Sequence, residues 1–193
     1  MKRSFVIVLL LLVSICIISF AGPPEIVPKS FALNGYSVSG SLDQSVCTNN
    51  GGIWSDATTS CTVPIAVTWT IGNGAELVIS NNVALYFNGN LSNMGTIAVD
   101  SPSGMSNYGV VNNQGTVSIG SGGTIQNLGT FSNTGLVNVT GVFNDLQTAS
   151  LVDSGTMDVF GALNNAGNLT NPGNINDYGS FTNTGTVVNP GVI

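Results

Sequence analysis

The sequence predicts an all-β chain, a parallel β-helix (β-solenoid) of roughly six to seven coils, and three observations predict it. Apolar residues recur every twenty positions, as Ile71, Leu91, Val111, Phe131 and Leu151, with Leu77, Ile97, Val117, Val137, Met157 and Ile79, Val99, Ile119, Val139, Val159 in register. An amide or acid column runs beside them through Asn73, Asn93, Asn113, Asn133 and Asp153. Glycines mark the bends, and Gly155, Gly161, Gly167, Gly173, Gly179, Gly185 and Gly191 are each six residues apart. Period-two alternation such as Val67, Trp69, Ile71 makes each short segment a strand with alternate side chains inward. A unit of this kind cannot bury its apolar side alone and is covered by the next copy.

The solenoid is expected over residues 66–193, with the ~20-residue period shortening towards 18 in the hexads after Gly155. The unit there is Gly-x-apolar-x-Asn/Asp-x, as in Gly179-Ser-Phe181-Thr-Asn183-Thr. An inward Asn at a bend accepts from one backbone N–H and donates to a carbonyl, and stacked Asn side chains bond to one another as amide ladders do. The column from Asn73 to Asp153 therefore reads as a structural ladder and not as catalytic machinery.

Residues 22–65 lack the period and read as an N-terminal cap, which a solenoid needs because its first coil otherwise presents bare backbone and open core to water. Cys47 and Cys61 sit in this cap. An even pair in an exported chain predicts a disulfide, and two sulfurs with no histidine nearby are a poor metal site.

Residues 1–21 read as a signal peptide: Lys2 and Arg3, an apolar run from Phe5 to Phe20, then Ser19-Phe20-Ala21. The run is short for a membrane span, so cleavage is favoured over an uncleaved anchor, which is the one route to the membrane that the sequence offers. Cys16 has no small residue immediately before it, which argues against lipid attachment. The protein is therefore expected outside the cell, secreted or on the surface.

Charged residues are only 6% of the chain, against ~25% in ordinary globular proteins. Without the leader, Lys29 is the sole basic side chain against nine acids. Such a surface has nothing to neutralise phosphates, which excludes nucleic-acid binding. Strict apolar columns argue against disorder despite the polar composition.

Units such as Gly129-Thr-Phe131-Ser-Asn133-Thr-Gly135 and Gly161-Ala-Leu163-Asn-Asn165-Ala-Gly167 resemble the repeats of secreted β-helix adhesins, the filamentous-haemagglutinin-like and autotransporter-passenger-like proteins. The resemblance covers about two-thirds of the chain and implies a β-helix displayed outside the cell for attachment or surface structure. Those proteins are usually far longer, and neither an outer-membrane barrel nor a cell-wall sorting motif accompanies the repeats here.

Enzyme chemistry has little to stand on. The repeat region lacks the Arg, Lys or His that a polysaccharide lyase uses as base. Asp145, Asp153, Asp158 and Asp177 are the carboxylates a glycosidase would need, but Asp145, Asp153 and Asp177 occupy the Asn place of their repeats. No cofactor or metal is expected; Asp100 and Asp158 offer at most weak outward calcium ligands. Thr96, Thr116 and Thr156 begin the outward Thr column an ice-binding face needs, and Leu136 interrupts it. Asn90, Asn138 and Asn168 open three outward Asn-x-Ser/Thr sequons that glycosylation would use, no more than chance supplies in so Asn-rich a chain. Tyr86, Tyr108 and Tyr178 face outward without sharing a column. The expected function is a non-catalytic structural or adhesive surface solenoid, with a carbohydrate-binding or carbohydrate-active β-helix as the alternative. The final hexads predict either an open strand edge able to dock on a second copy or another surface protein, or a fold-back of residues 186–193 as a cap, and surface glycans are the other candidate partner.

Overall fold

A computed structural model of the protein describes residues 34–193. The expected leader, residues 1–21, and the start of the cap lie outside the described residues, as does Lys29. The described chain winds through about six turns of a parallel β-solenoid. Each turn contributes one short strand to each of three sheets, which hold eight, seven and eight strands. Sheet I begins at Asn34–Ser37 and Val67–Ile71, sheet II at Gly40–Ser41 and Glu76–Ile79, and sheet III at Ile53–Ser55 and Ser60–Val63. Neighbouring strands in each sheet are one turn apart in sequence and parallel, except for the antiparallel pair Ile53–Ser55 with Ser60–Val63.

Alternation explains the strands. Thr116–Ile119 buries Val117 and Ile119 and turns Thr116 and Ser118 outward, and the same in-out order repeats in most strands. Buried columns then stack: Leu77 on Ile97 on Val117 on Val137 on Met157 on Ile175. Aromatic residues fill part of the interior, Trp69 edge-on to Phe87 at 5.6 Å and Phe131 edge-on to Phe143 at 5.2 Å between ring centres.

The turns between sheets come in two lengths, and this explains the drift of the period. Four-residue corners close with a backbone hydrogen bond from their fourth residue to their first, as in Pro64–Val67, Gly72–Ala75, Ser80–Val83, Asp100–Ser103, Gly120–Gly123 and Leu146–Ala149. Two-residue corners, such as Gln114-Gly115 and Thr134-Gly135, need glycine because coils touch there. A Cβ built on Gly135 collides with the Gly115 carbonyl oxygen, and one on Gly155 with that of Gly135. Where the sheet II to III corner shortens from Gly120–Gly123 to Thr140-Gly141, Thr124 pairs with Val142 and the local period falls from 20 to 18.

One member of the expected ladder is displaced by this variation. Asn73 lies exposed on the four-residue corner Gly72–Ala75, and the pairing of Val67–Ile71 with Asn90–Asn93 sets Ile71, not Asn73, opposite Asn93. The two extra corner residues shift the register of the first repeat, so a strict twenty-residue count misaligns it.

The three sheets also run into the region before residue 66. Asn34–Ser37 pairs with Val67–Ile71, Gly40–Ser41 with Glu76–Ile79 and Ser60–Val63 with Ala84–Phe87, so residues 34–63 supply a coil of their own. That coil is interrupted by the helix Gln44–Asn49 and the strand Ile53–Ser55. Asp43 caps the helix by accepting the Val46 N–H at 2.8 Å. The inserted segment closes over the core: buried Trp69 donates its indole N–H to the Asn50 carbonyl at 2.7 Å, and Leu42 and Cys47 are buried. Cys47 and Cys61 form a disulfide with Cα atoms 5.8 Å apart, tying the helix to sheet III. A loop of this length contributes ~3 kcal/mol in the chain-entropy model.

Third residues of the four-residue corners take left-handed backbone at Gly74, Asn82, Gly122 and Thr148, where φ is 75°, 63°, 77° and 76°. Thr148 is the β-branched exception, and its exposed side chain has no packing to offset the strain. Thr148→Gly is expected to stabilise the protein by ~1 kcal/mol, the strain relief outweighing the added freedom of the unfolded chain. Thermal unfolding checks this, with a rise in Tm of about 2–4 °C expected.

Candidate functional site

The polar groups that the fold gathers most closely are the inward amides at the two-residue corners. Between sheets I and II, Asn93 Nδ2 donates to Asn113 Oδ1 at 2.7 Å, Asn113 to Asn133 at 2.7 Å, and Asn133 to Asp153 at 2.6 Å. Each amide nitrogen also reaches a backbone carbonyl of the coil above: Asn93 to Thr116 at 2.9 Å, Asn113 to Leu136 at 3.1 Å and Asn133 to Thr156 at 3.1 Å. The oxygens of Asn93 and Asn133 accept the N–H of the corner glycines, Gly95 at 3.2 Å and Gly135 at 3.1 Å. One buried side chain thus serves its own corner, the coil above and its neighbour in the stack, and Asn suits the place because it carries both donor and acceptor.

A second ladder, between sheets III and I, was not assembled from the sequence. Asn107 donates to Asn127 at 2.8 Å and Asn127 to Asp145 at 2.7 Å, with Asn107 also bonded to the Thr130 carbonyl and Asn127 to that of Ser150. Its signal was the twenty-residue step from Asn107 to Asn127, followed by the eighteen-residue step to Asp145 that a fixed period hides.

The four carboxylates considered for hydrolysis are not brought together as a pair across a cleft. Asp145 and Asp153 are buried in separate ladders, Asp158 faces outward beside Asn176, whose Nδ2 it accepts at 2.8 Å, and Asp177 sits exposed at the end of a sheet II strand. Burial pushes the Asp145 carboxyl up to about 6, against the opposing effect of the Asn127 hydrogen bond, and raises that of Asp153 for the same first reason. Among the described residues there is no enclosed pocket, and no group of three or more His, Cys, Asp or Glu side chains could hold a metal ion. No described helix is long and apolar enough to cross a membrane.

The exterior is formed by outward strand positions in register. Thr96, Thr116, Leu136 and Thr156 stack on sheet II, and Asn90, Val110, Thr130 and Ser150 on sheet I. Of the sequon residues, Asn168 is exposed while Asn90 and Asn138 are half-buried by their strand neighbours. Tyr86 and Tyr108 stand apart on sheet III and its corner, whereas Tyr178 has a partner that a survey of tyrosines alone misses. Phe160 and Tyr178, at the same corner one coil apart, stack with ring centres 5.0 Å apart and planes within 15°. Both rings remain open, at 56% and 68% exposure.

No protein-family model, curated protein or solved structure matches the chain. The geometry itself assigns the amide columns a stacking role, and that role is measurable. Asn113→Ala leaves the Asn93 amide and the Asn133 oxygen without their ladder partner and opens a small void, so a loss of ~3–5 kcal/mol is expected. Asn112→Ala, on the exposed neighbouring position, should stay within about 0.5 kcal/mol. Urea unfolding of the two variants provides the comparison.

Proposed function

We propose that this protein is a secreted, non-catalytic β-solenoid acting as a structural or adhesive component of the cell surface and assembling end to end. The observation that carries the reading is the exterior: three sheets present in-register arrays of Thr, Ser, Asn and small apolar side chains, suited to broad contact with another surface. The disulfide supports an oxidising setting outside the cytosol. Repeats that resemble those of β-helix adhesins point the same way.

End-to-end contact has a physical basis in the coil built by Ser180–Asn183 and Thr186–Val188. Phe181 and Val187 are only partly buried there, although the residues in the same columns below them, Leu163 and Leu169, are sealed. The Val188 carbonyl accepts the Asn171 N–H, so the alternation of a parallel ladder turns the N–H and C=O of Val187 to the open edge. Strand addition on that edge would cover the half-buried rung.

A carbohydrate-binding reading is favoured by the Phe160–Tyr178 stack, since exposed aromatic faces pack well against the C–H faces of sugars. The two readings separate experimentally. Size-exclusion chromatography with light scattering and negative-stain microscopy should show discrete oligomers or filaments. Val187→Pro, which removes an edge N–H and leaves the bonds of Val188 in place, should reduce them to monomer with little change in circular dichroism. A wild-type protein that remains monomeric at high concentration and binds a surface polysaccharide, with binding lost in Phe160→Ala, would replace the structural reading with the carbohydrate one.

A further inference from the structure

Both amide ladders are interrupted at an acid. Asn133 donates to Asp153 Oδ1 and Asn127 to Asp145 Oδ1, and in the following coils the stacking resumes as Asn171 to Asn189 and Asn165 to Asn183, each at 2.7 Å. Between these runs lie two gaps. Asp153 Oδ2 and Asn171 Oδ1 are buried without a partner, and so are Asp145 Oδ2 and Asn165 Oδ1. Among the described residues no other buried side-chain oxygen or nitrogen lacks one.

The four orphans form two pairs across adjacent coils. Asp145 and Asn165 are direct strand partners, and Asp153 and Asn171 follow immediately on the partners Val152 and Thr170. A Cβ built on Gly167 would stand 2.6 Å from Asp145 Oδ2, which places that oxygen at the corner Asn165 opens. Each gap therefore leaves a carboxyl oxygen and an amide oxygen of adjacent coils buried without a donor. Two acceptors cannot bond to each other, and an ionised carboxylate has no hydrogen to give.

A protonated carboxyl has one. Oδ1 of each acid already accepts from the Asn below, which leaves Oδ2 as the atom to carry hydrogen and the unpartnered amide oxygen of the next coil as its acceptor. The surroundings favour this neutral form. Asp153 is faced by Asn133, Asn171 and the Gly155 N–H, and Asp145 by Asn127 and Asn165, none of them charged; the Asn133 and Gly155 donors favour the ionised Asp153, and burial outweighs them. The described residues contain no Lys, Arg or His, and the remaining acids of the neighbouring coils, Asp158 and Asp177, add only like charge. Burial raises both carboxyls, as given above.

We propose that Asp145 and Asp153 are paired proton-binding sites, each holding a hydrogen on Oδ2 and donating it to Asn165 or Asn171, so that acid closes the two ladders and a rise in pH opens them. The proton comes from solvent and returns to it, and no other bond changes. The native state keeps a proton that the unfolded chain, with ordinary carboxyls near ~3.9, has already released. Stability from these sites is thus complete well below pH 4, is lost as pH rises from about 4 through about 6 for Asp145, and levels off above about pH 7. Asp43, held below its ordinary value by the Val46 N–H, acts with the opposite sign, so the readout is a difference between wild type and variant.

The test is urea unfolding of the full chain and of Asp145→Asn, Asp153→Asn and the double variant from pH 4 to pH 8. Asn restores a donor at every pH. Between pH 4 and pH 6 the folding constant of wild type should fall about 30-fold relative to Asp145→Asn, and further relative to the double variant. At pH 7.5 the double variant should be the more stable protein. Superimposable pH profiles for wild type and double variant would overturn the proposal. Should a variant fail to fold, carbon-13 carboxyl shifts of wild type decide: two aspartates titrating well above the rest support the sites, and none doing so overturns them. Selective stabilisation of wild type by sodium or calcium ions at pH 8 would mean that a cation bridges the oxygens, which also overturns the proposal.

Discussion

Each coil must repeat the backbone path of the coil beneath it, because the hydrogen bonds that satisfy its N–H and C=O groups lie in its neighbours and not in itself. Thr116 N–H bonds to the Gly95 carbonyl, Leu136 to that of Gly115 and Thr156 to that of Gly135. Everything else answers to this constraint. Inward residues must match in volume from coil to coil, and a corner may lengthen or shorten only where the strands on either side keep their register with the coils above and below. Glycine at the short corners follows because carbonyl oxygens of adjacent coils approach too closely for a Cβ. Asparagine follows because the same bend leaves corner groups that only a side chain with both donor and acceptor can serve in a stack.

This dependence on neighbours explains which features were legible in the sequence. Columns such as Leu77, Ile97, Val117, Val137 and Met157 could be read directly, since each place in a coil imposes the same demand on its residue. The ladder from Asn93 to Asp153 was equally visible. What a fixed count missed lies where corner length changes. Asn73 was misassigned because Gly72–Ala75 is two residues longer than the corners after it, and the Asn107, Asn127, Asp145 ladder was hidden by the step from twenty to eighteen. Corner length is set by turn chemistry local to a few residues, and a long-range period averages over it. The helix and strand inserted at residues 44–55 have no counterpart in other coils, so no repeat could announce that residues 34–63 form a coil around them.

The exterior was the least legible part. Outward positions are free of the stacking demand, so their residue types vary and carry little positional information. The Phe160–Tyr178 stack emerges only when both rings are assigned to the same corner. The acids separate by environment in the same way: Asp158 on the outside bonds to Asn176, while Asp145 and Asp153 take the place of an amide in the interior.

The interior ladders also have a direction. Every bond within them runs from the nitrogen of one coil to the oxygen of the next, from Asn93 through Asn133 on one edge and from Asn107 through Asn127 on the other. The stack is therefore a vector, offering acceptors towards one end and donors towards the other. Its acceptor end is closed inside the molecule, where Ile71 lies opposite Asn93, while Asn183 and Asn189 of the last described coil take up the final bonds of the series. The two ends of the solenoid are therefore chemically unlike, and a contact between them is heterologous, building a ring where its rotation closes and a filament where it does not.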